Sequence, residues 1–205
     1  MVVAPHAEEL GAPGRPRGRP RSERADAAIV AATLGVLGRL GFAGLTVEAV
    51  AASAGVGKAT IYRRWDTKDD LVVHALSCLK QGTEPVLVGD LRRDLIACLE
   101  STRRSMSRSL AGRVMPHVLA TAPPELQRLY WSRVVAPSRH VVEGVLRGGI
   151  ATGELAPIAD LELVVDLLVG PVILRRMLAA ARPPATAAQV EAVVDLVLAG
   201  LRPRG

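Results

Sequence analysis

The stretch TVEAVAASAGVGKATIYRRWDTK, from Thr46 to Lys68, decides the fold. It predicts two short helices joined by a turn at Gly55, because glycine readily adopts the left-handed backbone of a tight turn. The Thr46 hydroxyl is expected to cap the first helix by accepting from its free backbone N–H groups. The second helix is predicted over 57–64 and is rich in basic and hydroxyl side chains. Such a helix-turn-helix places its second helix in the major groove of DNA.

Spacing along the second helix separates a buried side from an outward side. Ile61 and Trp65 lie four residues apart and are expected to face the core. The remaining side chains then point outward: Lys58, Ala59, Thr60, Tyr62 and Arg63. This side predicts a basic surface that a polyanion would bind.

Helical periodicity continues along the rest of the chain, and no alternating pattern predicts a strand. A first helix is expected from Ser22 to Leu40, ended by Gly41, and a fourth from Thr67. Further helices are predicted at 90–106, 108–121, 124–148, 160–181 and 186–201, the last capped by Thr186. We therefore expect an all-α protein of about nine helices. Its helix-turn-helix domain would cover 23–81 and a larger helical domain 82–205.

Residues 1–22 are rich in proline, glycine and arginine and are expected to form a flexible basic arm. The unit Arg17-Gly18-Arg19-Pro20-Arg21 resembles an AT-hook. In such a unit, an extended backbone places arginines in the narrow minor groove, whose negative potential attracts them. Arg17, Arg19 and Arg21 are thus candidate DNA contacts, with a disordered basic tail as the alternative.

Charge and composition agree with a nucleic-acid partner. The net charge is +6, and residues 11–68 hold ten Lys or Arg against four Asp or Glu, whereas 81–205 hold fifteen against twelve. The two cysteines form no metal-binding motif, and no signal peptide or membrane span is evident. We expect a cytoplasmic protein with no metal site, no cofactor and no membrane partner.

Segment 25–80 resembles the DNA-binding domain of TetR-family transcriptional regulators. The resemblance is carried by a set of residues spaced along the whole segment: Gly41, Phe42, Thr46, Ala51, Gly55, Val56, Thr60, Ile61, Tyr62, Trp65, Lys68 and Leu71. Two positions depart from the family, which often has Ser at Gly57 and commonly has Phe at Trp65.

The resemblance implies a role for each residue of the site. Lys58 and Ala59, just after the Gly57 cap, would meet base edges, with the ammonium donating to guanine and the Ala59 methyl group touching a thymine methyl. Phosphate contacts are implied for the side chains of Thr46, Thr60, Tyr62 and Lys68. Arg63 would serve either bases or backbone.

The second half resembles the ligand-binding and dimerisation domain of the same family more weakly. Helices 160–181 and 186–201 would pair with their copies in a homodimer, which suits a palindromic operator in double-stranded DNA. A small hydrophobic organic effector would bind among the helices of 90–148. Candidate lining residues are Met106, Met115, His117, Leu119, Tyr130, Trp131 and His140, although core packing uses the same residue types. The predicted function is a repressor released from DNA by its effector.

Two other functions stay open at the level of sequence. An enzyme built on a helical bundle is disfavoured, because no nucleophile, zinc or nucleotide-binding motif is present. An architectural DNA-binding protein without an effector would show binding spread over A/T-rich DNA rather than at palindromes.

Overall fold

The computed structural model describes residues 19–80, 82–107, 122–178 and 181–203, and within these ranges it contains helices and no strand. The all-α prediction is confirmed. The helices are α1 (Arg19–Gly44), α2 (Val47–Ala54), α3 (Lys58–Tyr62), α4 (Lys68–Ser77), α5 (Leu91–Ser107), α6 (Pro124–Tyr130), α7 (Ala136–Ala151), α8 (Leu161–Met177) and α9 (Ala187–Leu201). The predicted helix over 108–121 and the candidates Arg17, Met115, His117 and Leu119 lie outside the described residues.

Helix α1 begins at Arg19, three residues before the predicted start at Ser22. Pro20 falls in its first turn, where a missing backbone N–H costs no hydrogen bond. Arg19 and Arg21 therefore lie in a helix instead of the extended arm predicted for them, and their contacts with the minor groove stay a prediction. Gly41 was predicted to end the helix; with φ +67 and ψ −178 it interrupts the helix by a kink instead, and one more helical turn follows to Gly44.

The first hydrophobic core lies between α1, α2, α3 and α4. It is built from Ile29, Val36 and Leu37 of α1, which pack with side chains of the other three helices. Helix α1 is long and apolar enough to span a membrane by length and composition. Its buried side chains and its kink instead identify it as the central helix of this core.

The second hydrophobic core lies between α5, α7, α8 and α9. Asp94 on α5 is buried and accepts hydrogen bonds from the backbone N–H groups of Val88 (2.8 Å) and Gly89 (3.0 Å), which fixes the segment leading into this domain. Thr186 caps α9 as predicted, in a reciprocal arrangement with Gln189.

The helix predicted over 124–148 is interrupted by a π-helical turn at Trp131–Val135. Within this turn the Ala136 N–H donates to the Trp131 carbonyl, five residues earlier. Pro137 follows at once and has no N–H to donate to the preceding turn, so a wider turn is tolerated here. The prediction of one uniform helix was wrong, and the helical run ends at Ala151 instead of 148.

Candidate nucleic-acid interface

The turn between α2 and α3 has the local chemistry that the sequence predicts. The Thr46 hydroxyl accepts from the Ala49 N–H at 3.1 Å. Gly55 is left-handed, with φ +65 and ψ +33, and the next residue, Val56, donates its N–H to the Ala51 carbonyl at 3.0 Å. These bonds satisfy free groups at both ends of α2 and fix the direction in which the chain enters α3.

Helix α3 is short, but its hydrogen bonding continues beyond Tyr62. The Arg63 N–H donates to the Ala59 carbonyl (3.1 Å) and the Trp65 N–H to the Ile61 carbonyl (3.0 Å). Gly57 occupies the N-cap in an extended conformation without a side-chain hydrogen bond. The N–H groups at the start of α3 therefore have no side-chain cap and lie on the surface.

The two sides of α3 are separated as predicted. Ile61 is 1% exposed and Trp65 9% exposed, and both belong to the first core. Lys58, Ala59, Tyr62 and Arg63 are exposed, and Thr60 is half-buried. Arg64, the neighbour of Arg63, turns inward, where it pairs with Asp26 of α1 and donates to the Thr60 carbonyl at 2.8 Å. Arg64 is thus structural, whereas the exposed Arg63 is available to a ligand.

Lys58 forms an ion pair that the sequence does not predict. Its Nζ lies 2.9 Å from Oε1 of Glu48 on α2, with both side chains more than half exposed. The hydrogen bond between them raises the pKa of the Lys58 ammonium and lowers the pKa of the Glu48 carboxyl. From the sequence, Glu48 is assigned only a favourable place near the positive end of the α2 dipole. The ten-residue separation gives no periodic signal, because the contact depends on the angle between two helices.

Lys68 is half-buried and contacts the kink of α1. Its ammonium donates to the Phe42 carbonyl at 3.3 Å and lies 4.0 Å from the centre of the Phe42 ring. Such cation–π contacts are favourable. Lys68 therefore stabilises the α1 kink. If Lys68 also contacts a phosphate, the same ammonium serves both roles.

The four described effector-site candidates lie in different surroundings. Tyr130 packs against the first core, and burial raises its pKa to about 12. Trp131 is 52% exposed, beside Pro124, Gln127 and Arg128 in an open depression, and Arg139 lies over its ring. His140 is exposed and Met106 is half-buried. Tyr130 is thus a residue of the domain junction. The sequence could not separate this role from that of a pocket wall, because both use apolar side chains.

A small apolar cluster joins the two domains. Val73 of α4 packs with Leu126 of α6 and Val134 of the π-helical turn, and Phe42 and Tyr130 border them. Arg133 adds an ion pair with Asp70 of α4 at 3.0 Å. We refer to Phe42, Val73, Leu126, Tyr130 and Val134 as the junction cluster. It places α4, which follows α3, against the second domain.

The geometry is that of a helix-turn-helix DNA-binding protein, and comparison with known proteins specifies the family. The bacterial regulatory protein tetR family matches residues 29–75, and the tetracyclin repressor-like C-terminal domain matches 88–197. YdeS of Bacillus subtilis, an uncharacterized HTH-type transcriptional regulator, is 31% identical over 79% of this chain and 83% of its own. The DNA-binding transcriptional repressor TetR of Mycobacteroides abscessus is 30% identical over 72% of this chain and 79% of its own.

The fold is shared with solved structures. FadR of Bacillus subtilis, solved in complex with stearoyl-CoA, superposes with a TM-score of 0.69 at 16% identity, covering 86% of this chain and 99% of FadR. The chain belongs to the TetR family of transcriptional regulators. It is a DNA-binding regulator, as the sequence predicts.

Proposed function

We propose that the protein is a homodimeric repressor, active in the cytoplasm, that leaves a palindromic operator when a small apolar organic molecule binds its second domain. The observation that carries this proposal is an apolar face left exposed on α8 and α9 of the second domain. It calls for a partner surface, because exposed apolar patches of this kind mark interaction sites.

The exposed face of α8 carries three leucines at helical spacing. Leu163 and Leu167 are each 54% exposed, and Leu174 is 55% exposed. On α9, Leu196 is 74% exposed and is flanked by the exposed small residues Ala192 and Ala199. Small residues let two helices approach closely, and leucines fill the space between them. Two copies of this face, which we call the α8–α9 face, would form a four-helix interface around a two-fold axis.

On the DNA side, we assign contacts to residues of α3 and to Thr46 at the start of α2. Lys58 and Ala59 would meet base edges, and Thr46, Thr60 and Tyr62 would donate to phosphates. Arg63 adds a positive charge on the same side. Two recognition helices related by a two-fold axis would then read two half-sites about one helical turn apart.

On the effector side, the support is the connection between domains. The π-helical turn that carries Trp131 also contributes Val134 to the junction cluster and Arg133 to the ion pair with Asp70. A ligand near Trp131 would therefore act on the same turn that holds α4. FadR, which shares this fold, was solved with stearoyl-CoA, whose acyl chain is long and apolar and whose CoA group is charged, so acyl-CoA thioesters are the first compounds to test.

Genomic footprinting of the full-length protein tests the DNA part of the proposal. We expect a few palindromic sites next to genes, whereas sites spread over bulk A/T-rich DNA would replace the repressor by an architectural protein. The footprinted palindrome then serves as the probe for the effector.

Release is measured as the fluorescence anisotropy of the labelled palindrome during titration with stearoyl-CoA and with shorter acyl-CoA thioesters. The variant Trp65→Phe leaves Trp131 as the sole tryptophan, so its fluorescence reports binding near the π-helical turn. If none of these compounds lowers the anisotropy or changes the emission, an acyl thioester is not the effector.

A further inference from the structure

The ion pair between Glu48 and Lys58 bridges the two helices of the DNA-binding motif on their outward side. Glu48 is the second residue of α2 and Lys58 the first of α3. Their side chains are 62% and 55% exposed, whereas the helices themselves are held by buried residues such as Val47 and Ile61. An exposed pair of this kind contributes little to folding. In the proposed complex with DNA, the pair would lie on the side of the motif that faces the bases.

The pair keeps hydrogen-bonding capacity after its own bond is made. An ammonium has three N–H donors, and a carboxylate has about four acceptor positions. The bond between Lys58 and Glu48 uses one N–H donor and one acceptor position. Two N–H donors of Lys58 and an acceptor of Glu48 remain side by side, because the Nζ and Oε1 atoms are only 2.9 Å apart. The surface thus offers a donor–donor–acceptor row.

A G·C base pair presents the complementary row in the major groove. Guanine offers N7 and O6 as acceptors, and cytosine offers its N4 amino group as a donor. We propose that Glu48 and Lys58 read one G·C base pair of each half-site together, with the ammonium on guanine and the carboxylate on cytosine N4. Glu48 is then a specificity-determining residue. This proposal rests on the proposed function, in which Lys58 meets base edges.

The same carboxylate acts against an A·T pair. There the row contains the adenine N6 amino group beside thymine O4, so the order of donors and acceptors differs. A carboxylate held next to Lys58 would face an acceptor or lose its partner, which is costly once water is excluded. Glu48 also brings a negative charge near the phosphates, which weakens binding to all DNA. It therefore lowers affinity in general and raises selectivity at one position.

The test is selection from a random duplex DNA library by the full-length protein, followed by sequencing of the bound fraction. Wild type is expected to enrich a palindrome with one G·C position preferred about five-fold or more over A·T, the lower range for a specific base contact. Glu48→Gln should reduce that preference to less than about two-fold at this position alone, and should bind random duplex DNA more tightly.

A second Glu48 variant separates the effect of the negative charge from that of the hydrogen bond to cytosine, and a control variant lies elsewhere. Glu48→Asp keeps the charge and shortens the side chain, so the preference should fall while affinity for random duplex stays that of wild type. Glu125→Gln is the matched control, since Glu125 is an exposed glutamate paired with Arg128 at 3.0 Å on α6, away from the DNA-binding motif. It should leave the motif unchanged.

Each outcome decides something different. If Glu48→Gln enriches the wild-type motif with equal strength at every position, the joint reading is wrong. If Lys58→Ala weakens binding but changes no position of the motif, Lys58 contacts phosphate and the joint reading is again wrong. If wild type enriches no motif at all, the proposed function itself fails, and the two failures are thus distinguished. Thermal unfolding close to that of wild type shows that each variant is folded.

Discussion

Replacing Leu196 by aspartate tests the proposed dimer most directly. Leu196 is 74% exposed on the α8–α9 face. Full burial of a leucine side chain stabilises by about 1.5–3 kcal/mol, so burial of the exposed three quarters is worth about 1–2 kcal/mol. A two-fold axis presents the residue twice, which gives about 2–4 kcal/mol per dimer. Since about 1.4 kcal/mol is a factor of ten, Leu196→Asp should weaken the dimer by about 30-fold to several hundred-fold before carboxylate desolvation is added.

Sedimentation velocity over a concentration series measures this dissociation constant. Leu196→Asp is expected to shift the monomer–dimer transition to higher concentration with little change in the thermal stability of the monomer, because the side chain packs little within one chain. Val86→Asp is the matched control, since Val86 is 79% exposed but lies in the segment between the two domains. If Leu196→Asp dimerises as tightly as wild type, or if Val86→Asp dissociates the dimer equally, the α8–α9 face is not the interface.

Three further substitutions test the DNA-binding motif and the segment behind it. Tyr62→Phe removes one hydroxyl from an exposed residue and should weaken binding to operator and random duplex alike by about 0.5–1.5 kcal/mol, measured by anisotropy titration; a loss confined to the operator would contradict a phosphate contact. Gly55→Ala should lower the free energy of unfolding by about 1–2 kcal/mol, because φ is +65 there although no atom blocks a Cβ, whereas Gly144→Ala, in the open face of α7, should not destabilise. Asp94→Ala leaves the N–H groups of Val88 and Gly89 without their acceptor and should cost about 2 kcal/mol or more in chemical denaturation, with Asp94→Asn intermediate; equal stability of Ala and wild type would show that water replaces the carboxylate.

Features fixed by neighbouring residues could be predicted from the sequence. Thr46 caps α2 and Gly55 turns the chain because each acts within four residues of itself. The buried positions of Ile61 and Trp65 follow from helical spacing alone. For the same reason the all-α fold and the cap at Thr186 are confirmed.

Features that depend on the angle between helices could not be predicted. Glu48 meets Lys58, and Lys68 meets Phe42, only because the first domain folds as it does. Tyr130 was expected in an effector pocket, but cores, pockets and junctions draw on the same apolar residues. The π-helical turn before Pro137 was missed because a proline early in a helix is usually compatible with a regular turn.

The junction cluster gives the proposed effector response a path from the second domain to the five-residue helix α3. Trp65, three residues after α3, is buried in the first core, and its ring packs against that of His74 of α4 with the centroids 5.4 Å apart and the planes tilted by 50°. Helix α4 in turn is held to the second domain by Val73 and by the ion pair between Asp70 and Arg133. Close-packed cores deform little, so a displacement of the π-helical turn must move α4 and α3 together. In the proposed dimer, held at the α8–α9 face, that displacement would change the distance between the two α3 helices, and operator half-sites tolerate little change in this distance.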